Sequence, residues 1–264
     1  MANWTKLADL IEAEAVAAPP KKSAVKKNSL RTQVKKTRTR SKSYKLDLRI
    51  HSPSSLGYGG LEGVDTAPAL VRLAQVKGLD VIAVTDFYSG AFIDRVLQAA
   101  SDSKLVVVPG VNLRCKVDAC DDVVLTCLFA EDFGAQVVNE FLRALAIPAQ
   151  AQGNSGYVLD LAFESVLTSI EAYGGVAIPS RIDKTPHRRS VIPVLVERYG
   201  FRAFDLAYAD SKDLFKAQWP KLSFHLFSFS NASALAQVGS RSAKVRMTES
   251  GFAGIRELVA RQCA

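Results

Sequence analysis

The chain has 264 residues, of which 48% are hydrophobic, and it carries 34 lysines and arginines against 26 aspartates and glutamates, a formal net charge of +8. This composition is typical of a globular protein with a sizeable core and excludes a chain that is disordered throughout. The longest apolar runs are only as long as a strand, and the N-terminus lacks the pattern of a secretory signal. We therefore expect a cytoplasmic protein without membrane spans.

The first 43 residues separate into two predicted segments. Residues 1–18 can form a short helix that places Trp4, Leu7 and Leu10 on one side. Residues 19–43 have almost no apolar side chains, which predicts a disordered basic arm. Without the 11 basic residues of positions 20–45, the chain holds 23 bases against 26 acids, so its basicity belongs to this arm.

A basic arm of this kind can bind DNA or RNA through contacts with phosphates, with little preference for sequence. The alternative is a solvated linker that only keeps the protein in solution. The residues expected to contact nucleic acid are Lys21, Lys22, Lys26, Lys27, Arg31, Lys35, Lys36, Arg38, Arg40 and Lys42.

From residue 44 to residue 264, short apolar runs alternate with amphipathic stretches, which predicts one α/β domain. The predicted strands are 45–50, 80–84, 105–108, 123–129, 176–178, 203–206 and 222–227. The predicted helices are 65–77, 90–100, 132–145, 160–173, 190–199, 211–218, 231–237 and 249–261. Seven strands that each precede a helix or a helical turn favour a parallel (β/α)7 TIM-like barrel. In such barrels the functional side chains lie at the C-terminal ends of the strands.

The four cysteines follow neither the spacing of zinc-binding motifs nor that of a small disulfide-rich scaffold. We expect free, reduced and mostly buried thiols, which agrees with a cytoplasmic location. Residues 148–156 are predicted to be a long surface loop. Ser52, Ser54 and Ser55 follow the first strand, but the sequence shows no histidine and acid pattern that would mark one of them as a nucleophile.

Several of the predicted strand ends carry motifs that resemble those of the PHP (polymerase and histidinol phosphatase) family. Asp47-Leu48-Arg49-Ile50-His51-Ser52 is similar to the opening D-L-H-x-H-S motif, and residues 78–87 are similar to a second motif that normally ends in T-D-H. Residues 108–112, 178–183 and 229–233 resemble three later motifs. The resemblance covers residues 44–264 in the right order and implies a distorted seven-stranded barrel.

Family membership also implies three metal ions held by His, Glu and Asp ligands, and hydrolysis of phosphoesters. In this chain the resemblance retains only His51 among the ligand histidines. The other ligand positions are occupied by Arg49, Gly57, Phe87, Asn112, Val124, Arg181, Asn231 and Ser233. Because a multinuclear centre needs several N or O donors for each metal ion, one imidazole cannot assemble it.

The replacements favour a pseudoenzyme, in which a degenerate PHP barrel serves as a non-catalytic binding or regulatory module without a metal cofactor. Guanidinium groups can bind phosphate through paired, charge-assisted hydrogen bonds. A phosphorylated ligand can therefore bind at the barrel mouth, on Arg49, His51, Arg181, Lys184 and Arg188. In the alternative, Asp47, Asp86, Asp183 or Asp205 neutralises the arginines and the barrel is an inert scaffold.

Two further hypotheses stay open. The chain can be a divergent phosphoesterase or nuclease in which His51, Asp86 and Asp183 work with a single divalent metal ion, Mn, Fe or Zn. It can also be a structural interaction protein whose N-terminal helix around Trp4 docks a partner.

Overall fold

The computed structural model describes residues 41–262 of the chain. Eight strands in this range form one sheet. They are β1 (Lys42–Ile50), β2 (Val81–Val84), β3 (Val106–Val117), β4 (Cys120–Leu128), β5 (Val176–Ser180), β6 (Ala203–Asp205), β7 (His225–Phe227) and β8 (Ala243–Met247). Across the sheet the order is β7, β6, β5, β4, β3, β2, β1, β8.

The sheet curls into a nearly closed barrel, because the inward side chains of all eight strands meet in one buried cluster. The strands contribute to it, among others, Leu48, Ala83, Val108, Leu128, Ile178, Ala203, Phe227 and Met247. Burial of each large apolar side chain contributes about 1.5–3 kcal/mol, so this interior is a major source of stability. β7 and β8 are the two ends of the sheet.

Helices cover the outside of the barrel. They are α1 (Thr66–Val76), α2 (Ile93–Ala100), α3 (Ala135–Ala144), α4 (Phe163–Ala172), α5 (Pro186–Arg189), α6 (Ile192–Glu197), α7 (Ser211–Gln218) and α8 (Phe252–Val259). The start of α1 follows from its sequence, since the Asp65 side chain accepts a hydrogen bond from the Ala67 backbone. Leu70 and Ala74, four residues apart, then face the sheet together and pack against Ile82.

The α/β TIM-like class is confirmed, but the predicted strand number and the all-parallel arrangement are wrong. β8 is an eighth strand that pairs antiparallel with β1, and it alternates polar and apolar residues instead of forming an apolar run. β3 and β4 form an antiparallel hairpin, with no helix between them. β3 continues to Val117 because Pro109 and Gly110 stay in the ladder, facing Val84 and Leu128.

Three other predicted segments differ from the structure. The predicted helix 231–237 is wrong, since only Leu235–Gln237 forms a 3-10 turn. Of the predicted helix 190–199, only Ile192–Glu197 (α6) is helical. β7 begins at His225 rather than at residue 222. Within residues 41–262, no helix is long and apolar enough to cross a membrane.

The N-terminal predictions fall mostly on residues that the structure does not describe. The helix of residues 1–18 and the arm up to residue 40 lie outside the described range. Lys42 and Ser43, which the sequence analysis assigns to the arm, are instead the first residues of β1 and pair with Met247 and Arg246. Cys115, Cys120 and Cys127 are free and buried as predicted, and Cys263 lies beyond the described residues.

Strand register brings the ends of the parallel strands to one level. Ile50 of β1 pairs with Val84 of β2, and Ser180 of β5 pairs with Asp205 of β6. Asp205 pairs in turn with Phe227 of β7. The loops that follow these strands therefore meet at one end of the barrel, which we call the barrel mouth.

Candidate anion site at the barrel mouth

A cavity of about 270 Å³ lies at the barrel mouth. Five of its lining residues are basic and none is acidic; the basic residues are Arg49, Arg114, Arg181, Lys184 and Arg188. Part of its wall is apolar or aromatic and consists of Leu56, Tyr58, Phe87 and Val124. We call this space the cationic cavity.

Most positions to which the resemblance assigns metal ligands line this cavity. They are Arg49, His51, Phe87, Val124, Arg181, Asn231 and Ser233. Asn112 is an exception, since its fully buried side chain donates to the Thr85 carbonyl oxygen at 2.5 Å and accepts from the Thr126 hydroxyl at 2.8 Å. The residues that replace the ligands are thus neighbours in space although they are far apart in sequence.

Arg49 lines the cavity and is only 4% exposed. Its Nη1 is 3.6 Å from Oδ2 of Asp205, which is beyond hydrogen-bond range. Nε and Nη1 of Arg49 and Oδ2 of Asp205 are buried, and none has a hydrogen-bond partner among the described residues. Such groups retain their desolvation cost, so Arg49 keeps unsatisfied donor atoms in a side chain that lines the cavity.

Burial controls the ionisation of this pair. It lowers the pKa of Arg49 to about 10, an effect that Asp205 opposes and that Arg181 and Arg188 increase. Burial likewise raises the pKa of Asp205 to about 6, although Arg49 opposes the rise. Both groups are therefore charged at neutral pH.

Asp122 neutralises part of the cavity's positive charge. Its carboxylate accepts two hydrogen bonds of 2.8 Å from Nε and Nη2 of Arg188, and it also forms an ion pair with Arg114. Arg114 in addition donates to the Ser155 carbonyl oxygen at 2.7 Å. This bidentate geometry fixes Arg188 and Arg114 in place at the rim of the cavity.

Arg181 and Lys184 lack such a partner among residues 41–262. Neither side chain forms an ion pair or a hydrogen bond with any described residue, and both line the cavity. Burial lowers the pKa of Lys184, and the positive charge of Arg181 adds to this effect. Five basic side chains against the two acids that contact them, Asp122 and Asp205, leave the cavity with a local charge of +3.

His51, Ser55 and Asp86 form a hydrogen-bonded group at one side of the cavity. Oγ of Ser55 lies 2.5 Å from Oδ1 of Asp86 and 3.2 Å from Nδ1 of His51. Nε2 of His51 is 3.3 Å from Oδ1 of Asn231, and its ring stacks on Phe87. Burial, with a further contribution from Arg49, lowers the pKa of His51 to about 4, so the imidazole is neutral at neutral pH.

The sequence shows no histidine and acid pattern around the serines after the first strand, yet in the structure Ser55 contacts both His51 and Asp86. The partners come from separate segments, because Asp86 follows β2 whereas His51 and Ser55 follow β1. Asp86 also accepts hydrogen bonds from the backbone and the hydroxyl of Ser52, at 2.7 and 2.5 Å. Burial raises its pKa despite these hydrogen bonds.

Two of the predicted acids contact backbone amides rather than the cavity. Asp183 accepts from Ala207 N at 2.6 Å and Tyr208 N at 2.8 Å, which secures the chain after β6. Asp47 accepts from Ser230 N and Gly239 N. Of the four acids considered as neutralising partners, only Asp205 contacts an arginine of the described range, residues 41–262.

The donor set does not fit a multinuclear metal centre. The described residues contain no group of three or more His, Cys, Asp or Glu side chains that could hold a metal ion. Both ring nitrogens of His51 face hydrogen-bonding partners, and both oxygens of Asp86 accept hydrogen bonds. The surrounding guanidinium groups supply positive charge but no lone pair for a metal.

Sequence reasoning misses three contributors to this site. Arg114 lies beyond the predicted end of the third strand, and its partner Asp122 lies in the unrecognised hairpin. Gly153 belongs to the predicted surface loop, yet its backbone joins the mouth through hydrogen bonds with Phe87 and Leu56. A continuing alternation of apolar residues after Gly110 is the sequence signal that could have extended the third strand.

Comparisons with known proteins give matches at the level of structure. No protein-family model and no curated protein sequence matches the chain. The lesion-specific endonuclease Endonuclease Q from Pyrococcus furiosus aligns with a TM-score of 0.62 and 18% identity, over 83% of this chain and 56% of that one. The chain thus spans about half the length of that enzyme.

Two more solved structures have the same barrel. Endonuclease Q in complex with a 27-mer duplex that carries an abasic lesion has a TM-score of 0.55 and 16% identity, over 82% of this chain and 56% of that one. A protein from Bifidobacterium adolescentis, assigned as a metal-dependent phosphoesterase, has a TM-score of 0.54 and 12% identity, over 83% of this chain and 96% of that one. The chain has the barrel fold of these metal-dependent phosphoesterases and endonucleases, which supports the PHP resemblance at the level of fold.

Proposed function

We propose that this protein binds phosphate groups of nucleic acids or nucleotides in the cationic cavity. The observation that carries the proposal is the pair Arg181 and Lys184, which line the cavity without an acidic partner among the described residues. Arg49 adds a buried guanidinium with two donor atoms that lack acceptors. An anion with several oxygens satisfies these groups together.

Phosphate fits this environment better than a carboxylate does. It offers more acceptor oxygens and more negative charge, and guanidinium groups bind it through paired hydrogen bonds. The low exposure of Arg49 strengthens the electrostatic attraction, because water screens a buried charge less than an exposed one. Metal ions are not needed for binding, since the fixed side chains already supply positive charge.

Nucleic acid is the proposed source of the phosphate for two reasons. The basic arm, which lies outside the described residues, has the composition of a segment that contacts nucleic-acid backbones. Endonuclease Q, which shares the barrel, has been solved with a DNA duplex bound. In this proposal the arm holds the strand and the cavity binds one phosphate group, in a protein expected in the cytoplasm.

Isothermal titration of the full chain with inorganic phosphate and with a nucleoside monophosphate tests the cavity. A hydrogen bond to a charged group contributes about 1.5–3 kcal/mol, so Arg181→Gln and Lys184→Gln should each weaken binding about 10-fold to 100-fold. Arg72→Gln and Lys104→Gln are matched controls, because both residues are exposed and lie outside the cavity. Equal affinities in all five proteins would refute phosphate binding in the cavity.

A second candidate function is that of a divergent phosphoesterase or nuclease. The fold neighbours are phosphoesterases and endonucleases, which supports this alternative more than a non-catalytic module. The observation in the structure that favours it is the group formed by His51, Ser55 and Asp86 beside the cationic cavity. A neutral His51 can accept a proton from a hydroxyl or a water molecule next to a bound phosphate.

Hydrolysis of nucleoside monophosphates and of a short DNA duplex, with and without added Mn²⁺, distinguishes the two functions. Turnover that falls at least 100-fold in both His51→Gln and Ser55→Ala, while phosphate affinity stays within a few fold, supports the enzyme. Phosphate binding without turnover under either condition supports the binding module.

A further inference from the structure

We infer that the cationic cavity selects a terminal phosphate, as in a nucleotide or at the end of a nucleic-acid strand, over a phosphodiester within a strand. The inference rests on the proposed function and specifies its ligand. Three features of the barrel mouth carry it: the burial of Arg49, the excess of basic over acidic groups, and the apolar and aromatic side chains beside them.

Arg49, at the end of β1, is the least exposed of the basic groups that line the cavity, at 4%. A phosphate that reaches it must enter the cavity rather than lie across its opening. An internal phosphodiester carries sugar on both sides and needs a groove that is open at two ends. A terminal phosphate carries substituents on one side only and can enter first, with the remainder of the ligand behind it.

Contacts between several segments join the loops around the cavity. The loop after β1 is hydrogen-bonded to Gly153 through Leu56 N at 2.9 Å, and to Ser233 through Gly59 N at 2.8 Å. Asp122 links the β3–β4 hairpin to α5 through its ion pair with Arg188. These cross-connections hold the segments around the cavity in place, so a ligand meets a preformed site.

The charge of the ligand and its number of free oxygens also favour a terminal phosphate. The cavity has a local charge of +3, and three of its basic side chains, on Arg49, Arg181 and Lys184, make no hydrogen bond with the described residues. A terminal phosphate carries about −1.5 to −2 charges at pH 7 and three free acceptor oxygens, one for each group. An internal phosphodiester carries one negative charge and two free oxygens, so it neutralises less of the cavity's charge and offers these groups fewer acceptor sites.

The wall next to these groups fits the attached nucleoside. Leu56 is 70% exposed, and Tyr58 and Phe87 line the same cavity. The Tyr58 hydroxyl has no hydrogen-bond partner among the described residues. Aromatic and apolar side chains that flank a phosphate site can stack on a base, so the ligand class is a nucleotide unit with a terminal phosphate.

Fluorescence anisotropy with the full chain tests the inference. The probes are one ten-nucleotide strand with a 5′-phosphate, the same strand with a 3′-phosphate, and the strand with hydroxyls at both ends. Free nucleoside monophosphate serves as a competitor and shows whether the strand is needed. We expect at least one phosphorylated end to increase affinity at least 10-fold, and Arg181→Gln/Lys184→Gln to abolish that increase while Arg72→Gln/Lys104→Gln retains it.

The other outcomes separate this inference from the proposed function. If the three strands bind equally and the cavity variant weakens all of them, the cavity binds internal phosphates and the inference is wrong. If the cavity variant changes no affinity, phosphate binding in the cavity is itself refuted. Arg49→Met provides a second test, because it should remove the preference for a phosphorylated end. Circular dichroism shows whether this variant is folded.

Discussion

Asp205 and His51 should make opposite contributions to the pH dependence of stability, and single substitutions should separate the two. Burial raises the pKa of Asp205 from 3.8 to about 6 and lowers the pKa of His51 from 6.5 to about 4. Both groups lie at the barrel mouth. Because one pKa shift spans 3.8 to about 6 and the other about 4 to 6.5, the two groups act over nearly the same pH range. The sign of each contribution follows from which state, folded or unfolded, binds more protons.

The stability that protonated Asp205 contributes is present below its unfolded pKa of 3.8 and is lost as the pH rises through about 6. The stability that neutral His51 contributes is present above its unfolded pKa of 6.5 and is lost as the pH falls through about 4. At about 1.4 kcal/mol for each tenfold change in proton affinity, each effect amounts to about 3 kcal/mol. The two effects therefore nearly cancel in the wild type.

Urea unfolding of the wild type, Asp205→Asn and His51→Gln between pH 4 and pH 7.5 tests this balance. Relative to the wild type, Asp205→Asn should lose about 2–3 kcal/mol of unfolding free energy on acidification, and His51→Gln should gain about as much. The asparagine can still accept the Phe229 N hydrogen bond that Oδ1 of Asp205 accepts at 2.9 Å. Asp102→Asn, at an exposed position, is the control.

Asp47 and Asp86 also have raised pKa values through burial, but both are present in every variant, so their contributions cancel in the comparison. Parallel pH profiles for the wild type and the two variants would refute the argument that burial controls these ionisations.

Three further predictions concern the cavity rim and the arm. Tyr88→Phe should lower the unfolding free energy by about 1–3 kcal/mol, measured by urea unfolding, because the Tyr88 hydroxyl accepts from Arg114 N and donates to Tyr157 O, both at 2.8 Å. An unchanged unfolding free energy would show that Arg114 N and Tyr157 O find other hydrogen-bond partners. Gly153→Ala should destabilise the rim by about 1–3 kcal/mol and weaken phosphate binding, since Gly153 has φ +72° and an added Cβ would lie 2.3 Å from Ser54 O. Unchanged thermal unfolding and phosphate titration would contradict it. Replacing the nine bases of residues 21–40 by glutamine should reduce the salt dependence of DNA binding, measured by anisotropy across salt concentrations, because fewer counterions are released; an unchanged slope would exclude the arm as a DNA contact.

The fold class was accessible from the sequence because its signals are local. Apolar runs and the motifs at the strand ends depend on neighbouring residues, and the confirmed TIM-like class follows from their order. The strand number was not accessible in the same way. β8 is an edge strand of alternating residues, and the β3–β4 hairpin continues through Pro109 and Gly110, which local rules treat as breakers.

The candidate site, like the fold, was only partly predictable from the sequence. The motifs indicated that Arg49 and Arg181 replace ligands at strand ends, and the structure places both in one cavity. They could not show that Asp122 would neutralise Arg114 and Arg188 while leaving Arg181 without an acid among the described residues. That pairing depends on the hairpin, whose register brings Asp122 to the mouth.

By itself, the sequence determined that a barrel of this class is built and that arginine stands where the resemblance expects metal ligands. Only the tertiary structure decided which charges at the mouth stay unpaired among the described residues, that Ser55 contacts both His51 and Asp86, and that Gly153 joins the loops beside the cavity. The physical reason is distance. Hydrophobic patterning acts over a few neighbouring residues, whereas the charge balance of a cavity depends on side chains that only strand pairing brings together.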